Sequence, residues 1–334
     1  MTIDKEKLSR LQRLVERFEQ LEQEITASAS DYNETEARSD FINELFQILG
    51  WDVLNKRGLS KPLREVVLEA NVNVRDQGRK PDYEFRFNST RKFFVEAKKP
   101  SVDILTSQES SFQTRSYGWS AQLPISILTN FKNLVIYDCL PVPSEGDSSR
   151  VAIIKEYSYR EYVSKFEEIY EQLSQESIGN GRYDELFSLP SNDRKGQKLF
   201  DEYFLEQIEK WRLLLAKDIL KHNPKLNAES LNYLIQAFIN RIVFLRICED
   251  RNLETYGTLK NLNKDEAIKK LLELFLNADK RYDSGLFDFI RDKLSPSIVI
   301  SGETLVEIVN DLYYPQSPYN FSVVDAKILG DIYE

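Results

Sequence analysis

The chain has 334 residues, 41% of them hydrophobic and 30% charged, with a formal net charge of −9. That length allows two domains with cores of their own, and the composition excludes a disordered or low-complexity chain. The acidic balance excludes a protein that grips nucleic acid over its whole surface.

Two cysteines, Cys139 and Cys248, lie far apart without metal-ligand spacing, which suits a reducing cytosol. No secretory signal pattern opens the chain. The most apolar long run, from Tyr233 to Cys248, is interrupted by Gln236, Asn240, Arg241 and Arg246, so no membrane span is expected. The single His222 precedes Asn223-Pro224 and reads as an exposed or capping residue at a helix end.

In chain order, residues 3–26 carry Leu8, Leu11, Val15 and Phe18 at helical spacing. A second helix is expected from about Glu34 to Leu49, with Gly50 as its stop. Lys61 to Arg75 reads as a strand. Two strands at about 79–87 and 91–98 then form a hairpin, since Tyr83, Phe85 and Phe87 alternate with charges, as do Phe93 and Val95. A three-residue loop centred on Ser89 places Phe85 opposite Phe93, Tyr83 opposite Val95 and Asp82 opposite Glu96. Glu96 and Lys98 share one face of their strand. Opposed carboxylates repel, so the arrangement asks for a compensating cation, and a divalent metal is the obvious one.

A helix is expected from roughly Gln108 to Ala121, followed by strands at Ile125–Thr129, Leu134–Asp138 and Val151–Ile154. From about Tyr159 the pattern is helical: Glu161–Gln175, a connector from Gly179 to Gly196, then Leu199–His222, Ala228–Asp250, Lys264–Ala278, Leu286–Lys293, Gly302–Tyr313 and Asp325–Tyr333. The expected domains are 1–155, a helix and linker over 156–196, and a helical domain over 197–334. Trp51 and Trp119 read as core residues. Arg241 and Arg246, with Glu249 and Asp250, read as ion pairs on a buried-face helix. Residues 56–115 carry thirteen Lys/Arg against eight Asp/Glu, a local basic excess around the hairpin.

Pro81-Asp82 followed by Glu96-Ala97-Lys98 resembles the Pro-Asp…(Asp/Glu)-x-Lys signature of a large nuclease superfamily that includes many restriction endonucleases. The element order is similar to that superfamily's α-β-β-β-α-β core, a mixed α/β (α+β) sheet flanked by helices. Gln113 and Tyr117, one helical turn apart, resemble a Gln-x-x-x-Tyr motif of a branch related to recombination nucleases. Residues 38–52, 116–138 and 239–253 resemble the N-terminal nuclease and helical connector regions of single-chain type IIG restriction–modification enzymes. The stretch from Tyr319 to Glu334 resembles the segment that leads into their adenine methyltransferase domain.

The resemblance implies a Mg²⁺-dependent (or Mn²⁺-dependent) DNA endonuclease in the cytoplasm, acting on double-stranded DNA and leaving 5′-phosphate and 3′-hydroxyl ends. It implies that Asp82, Glu96 and the Ala97 carbonyl hold the metal, that Lys98 orients or deprotonates water, and that Gln113 orients the substrate, supported by Tyr117. A second-helix glutamate often completes such sites, and Glu36 and Glu44 are both open for that role. The methyltransferase motifs of these enzymes, a Gly-rich cofactor loop and an Asn-Pro-Pro-Tyr-like sequence, do not occur here. The expected S-adenosylmethionine site and target-recognition domain therefore belong to a C-terminal part of a longer protein, and the fragment alone is expected to cut weakly. Alternatives are the N-terminal nuclease region of a type I restriction subunit, or a catalytically silent docking module for DNA or a protein partner.

Overall fold

A computed structural model describes residues 4–69, 80–187, 198–282 and 285–325. The chain divides into two compact units, one running to Lys198 and the other beginning at Leu199. The expected helix at 325–333 beyond its first residue, and the second half of the expected strand from Lys61, with Val72 and Val74, lie outside the described residues.

In the first unit, helix α1 (Lys5–Ile25) is started by Asp4, whose side chain accepts the Glu6 N–H. The second helix, α2, spans 34–48 in three runs: Glu34–Ala37 is α-helical, Arg38–Ile42 is a π turn and Asn43–Ile48 is α-helical again. Sequence periodicity gave its extent but not the π turn. It ends where Gly50 adopts φ +97° and the Trp51 N–H bonds back to the Phe46 carbonyl. That 6→1 bond across a left-handed residue closes the helix, as Gly50 suggested.

Six strands form one mixed sheet in sequence order: β1 (Val66–Leu68), β2 (Tyr83–Phe87), β3 (Thr90–Ala97), β4 (Ile125–Thr129), β5 (Asn133–Asp138) and β6 (Ile153–Ser158). All neighbours are antiparallel except β3 and β4. A parallel pair needs a long crossover, and helix α3 (Gln108–Ser120) lies within it. One sheet face carries Phe85, Phe93, Val95, Ile125 and Ile127 into a core shared with Phe18, Phe41, Phe46 and Trp51. The other face carries Leu128, Val135 and Tyr137, packed with Ile104 and Cys139. Helix α3 approaches this second face closely, because Gly118 leaves room for Cys139 and Ser126.

The expected single helix over 161–175 is interrupted. A 3-10 turn at Tyr159–Glu161 precedes α4 (Phe166–Leu173), and Ser174 caps a new helix, α5 (Gln175–Gly179), followed by α6 (Arg182–Phe187). Tyr162, Phe166, Tyr170, Tyr183 and Phe187 join the core of the sheet, so residues up to 187 pack with the first unit. Trp51 and Trp119 are buried, as their placement beside glycines suggested.

The second unit contains α7 (Phe200–His222), α8 (Ala228–Asp250), α9 (Ala267–Tyr282) and α10 (Gly302–Asn310). Helix α8 is long and apolar enough to cross a membrane, yet 56% of its most apolar window is buried inside the protein. Its arginines are paired inside the unit, Arg246 with Asp250 at 2.6 Å and Arg241 with Asp292 at 2.8 Å. No helix forms over 286–293. Asp288 accepts the Ile290 and Arg291 N–H groups, and Asp292 accepts those of Leu294 and Ser295. Such side-chain bonds compete with helical ones and leave turns instead.

Candidate active site

The hairpin departs from the expected three-residue loop in a way that preserves its purpose. Thr90 pairs directly with Phe87, which leaves a two-residue turn, Asn88-Ser89, with φ of 49° and 65°. Positive φ at both central residues is the type I′ geometry that matches strand twist. On its own this turn would offset the pairing by one residue and send Glu96 and Lys98 to the opposite face. The shift is corrected by a bulge: Arg86 pairs with Arg91 and Phe85 with Phe93, so Lys92 has no partner across the ladder. The bulge is fixed from outside by Tyr183, which donates to the Lys92 carbonyl at 2.7 Å, and by Asp184, 3.0 Å from the Lys92 ammonium. Beyond it Tyr83 faces Val95 and Phe85 faces Phe93, as expected from the alternation.

At the far end of the hairpin Asp82 and Glu96 are both buried, 9% and 4% exposed. Asp82 Oδ2 accepts the Ala97 N–H at 2.8 Å, and its Oδ1 accepts from the Arg38 guanidinium at 3.0 Å. Lys98 Nζ donates to Glu96 Oε1 at 2.5 Å. Glu96 Oε2 is buried with no hydrogen-bond partner. A strand residue presents its N–H and C=O on the same edge. Since the Ala97 N–H reaches Asp82 while the Lys98 N–H reaches Thr129 on β4, the Ala97 carbonyl lies on the Asp82 edge.

Burial dominates the electrostatics. It pushes the Glu96 carboxyl up to about 8, helped by the nearby Asp82 charge and opposed by Lys98. Burial also raises the Asp82 carboxyl, although Arg38 and the Ala97 N–H pull the other way. For Lys98, burial disfavours the ammonium, but Glu96, Glu34 and Asp82 outweigh it and the amine is held above its ordinary value. Three acids, Asp82, Glu96 and Glu34, thus face two cations, Arg38 and Lys98, and burial leaves Glu96 largely protonated at neutral pH.

Glu34 and Arg38, one turn apart on α2, were not singled out in the sequence. Glu34 is half-buried, and burial together with the Asp82 charge raises its carboxyl to about 7, against the pull of Lys98 and Arg38. The two glutamates left open for this role are engaged elsewhere. Glu36 closes a capping box with the Asn33 N–H at 2.7 Å, and Glu44 faces Arg17 of α1 at 3.4 Å. Glu36 could have been set aside from sequence, because Asn33 three residues before it is a capping-box signature. Nothing local in the sequence marks the partner of Glu44. Gln113 is half-buried and donates to the Tyr117 hydroxyl at 2.6 Å rather than to Asp82, Glu96 or Lys98. Tyr117 lies edge-on to Phe94, one strand repeat from Glu96, with ring centroids 6.4 Å apart.

The donor set suits a hard divalent cation. A buried oxygen of Glu96 lacks a partner, a second buried carboxyl, Asp82, acts on it electrostatically, and the Ala97 carbonyl lies on the Asp82 edge. Among the described residues no three His, Cys, Asp or Glu side chains converge to hold an ion by themselves. Mg²⁺ is commonly bound by one or two carboxylates while keeping several waters, so this does not disqualify the site.

This combination, a mixed sheet whose central hairpin ends in a buried acid pair beside a lysine, is compatible with a nuclease-like α+β fold. The chain is 44% identical over 332 residues, 98% of its length, to a "Type II restriction enzyme and methyltransferase RM.Eco57I" of Escherichia coli. It spans about one third of that relative, 33% of its length. It is homologous to the N-terminal region of a type IIG enzyme, as the sequence resemblance suggested. No protein-family model matches the chain, and no solved structure matches it.

Proposed function

We propose that the first unit is the metal-dependent DNA endonuclease module of a restriction–modification enzyme. The observation that carries this reading is the buried Asp82–Glu96 pair, with Glu96 Oε2 unsatisfied and Lys98 in contact with the same carboxylate. A buried acceptor left without a partner costs about 1–3 kcal/mol, more when charged, and beside a second buried acid and a lysine a bound cation would satisfy it.

Asp82, Glu96 and the Ala97 carbonyl would hold Mg²⁺, which when bound supplies a polarised scissile phosphate and a water of lowered pKa. The protein's own part is positioning. The Ala97 N–H and Arg38 fix both oxygens of Asp82. Burial keeps water from screening the acids, so once ionised they would attract an entering cation strongly, and that cation would offset their repulsion of a phosphate. Lys98, in contact with Glu96 and held as an ammonium, would orient the attacking water and contact the phosphate. Glu34 supplies further negative charge from α2. Gln113 and Tyr117, bonded to each other, border the same sheet face and fit a role in orienting the substrate backbone.

The S-adenosylmethionine chemistry and the choice of DNA sequence are assigned to C-terminal methyltransferase and recognition domains of the longer protein. The test is nicking of supercoiled plasmid by the 334-residue chain in enzyme excess with Mg²⁺, beside Asp82→Ala and Lys98→Ala. Both variants should lose at least about a hundredfold in rate, the usual scale for removing a ligand or proton-transfer group. Equal rates for wild type and both variants sink the assignment.

A further inference from the structure

Asp82 is useful to a metal only while its carboxylate is held in one orientation. One restraint comes from its own sheet, the Ala97 N–H on Oδ2. The other comes from α2 and depends on the π turn at Arg38–Ile42.

In an α-helix, residues five apart point about 140° away from each other around the axis, at 3.6 residues per turn. A π turn closes an i to i+5 bond and brings such a pair nearly into line. Here the Asn43 N–H bonds to the Arg38 carbonyl. Their side chains then reach two consecutive residues, Asp82 just before β2 and Tyr83 at its start. Arg38 donates to Asp82 Oδ1 at 3.0 Å and to the Asp82 carbonyl at 3.4 Å. Asn43 Oδ1 accepts from the Tyr83 hydroxyl at 2.8 Å. The Arg38 guanidinium also lies over the Tyr83 ring, 4.8 Å from its centroid. Arg38 therefore holds Asp82 while Asn43 holds its neighbour Tyr83, so the helix fixes the chain at two successive residues as it enters β2. A regular α-turn would keep one of these grips and lose the other.

We propose that Arg38, seated by the π turn and backed by Asn43, is a positioning residue of the cleavage site that sets the Asp82 carboxylate for its metal. This rests on the reading of Asp82 as a metal ligand. Arg38 acts through Asp82 and needs no contact with the substrate. Its planar fork spans a carboxylate oxygen and a main-chain oxygen together, which a lysine cannot do.

The test measures the Mg²⁺ dependence of two quantities in wild type, Arg38→Gln, Arg38→Lys and Asn43→Ala. One is the rise in Tm with Mg²⁺ in the absence of DNA; the other is the plasmid nicking rate. Removing a partner that orients a metal ligand typically costs 10–100-fold in metal affinity or activity. Both Arg38 variants should need roughly tenfold more Mg²⁺ for the half-maximal Tm shift and should nick at least about tenfold more slowly at saturating Mg²⁺. Asn43→Ala should move both in the same direction by less. If Arg38→Gln does not fold, the lysine and Asn43→Ala variants carry the comparison. Variants with a lower Tm but the wild-type Mg²⁺ half-saturation and saturating rate would show that Arg38 is structural only, and the proposal falls while the nuclease reading stands. If wild type shows no Mg²⁺ response and nicks no faster than Asp82→Ala, both fall.

Discussion

The acid at position 96 makes a prediction that can be worked through. Burial pushes the Glu96 carboxyl up to about 8 in the folded protein, against an ordinary value of 4.5. Folding therefore takes up a proton anywhere between these values. Its contribution is complete below about pH 4.5, where both states are protonated, and is lost as the pH rises through 8. At about 1.4 kcal/mol per pH unit, the full window amounts to at most about 5 kcal/mol. Glu96→Gln mimics the protonated form at nearly the same volume and abolishes that dependence. At about pH 4 the variant and wild type should unfold at similar urea concentrations, and at pH 5.5 the variant should already lead by about 1.4 kcal/mol. At pH 8.5 in EDTA the variant should be the more stable by several kcal/mol. Glu34, raised to about 7, leaves a shallower slope in both proteins. Adding 10 mM Mg²⁺ at pH 8.5 should restore about 1.4 kcal/mol to wild type for a Kd near 1 mM, and nothing to Glu96→Gln. Tryptophan fluorescence in a Trp211→Phe background reports the first unit alone, since Trp51 and Trp119 both lie in it. Parallel pH profiles for the two proteins, or a wild type that gains stability from pH 6 to 8.5 in EDTA, would refute the account of the site as a buried acid pair awaiting a cation.

Two further substitutions probe how the hairpin and its cover are built. An added methyl group at Gly118 would lie 2.4 Å from Cys139 Sγ and 2.5 Å from Ser126 Oγ. Gly118→Ala should therefore cost about 1–3 kcal/mol in urea unfolding, partly recovered by Cys139→Ala; a loss below about 0.5 kcal/mol would mean that α3 moves freely over the sheet. Ser89 holds φ 65° in the hairpin turn, a conformation that suits glycine. Ser89→Gly should raise stability by roughly 0.5–1 kcal/mol, the steric relief less the glycine entropy, with nicking unchanged; a lower Tm would count against the type I′ turn.

The alternation of Tyr83, Phe85, Phe93 and Val95 determined the hairpin and its pairing, because period-two burial fixes a strand's register. The same pattern put Asp82, Glu96 and Lys98 at one end, and Gly50 marked the end of α2 because its backbone needs positive φ. These are local properties, and local chemistry reads them. Other features were settled only by packing. The Lys92 bulge is held by Tyr183 and Asp184, about ninety residues away, and it restores the face that a tight turn would have reversed. The π turn that brings Arg38 and Asn43 to β2 leaves no mark in hydrophobic spacing, which α and π turns share over so few residues. That Glu34 lies near Asp82 while Glu44 turns to Arg17 of α1 was decided by packing. In each case the deciding partner lies far along the chain, so only the tertiary structure could supply it.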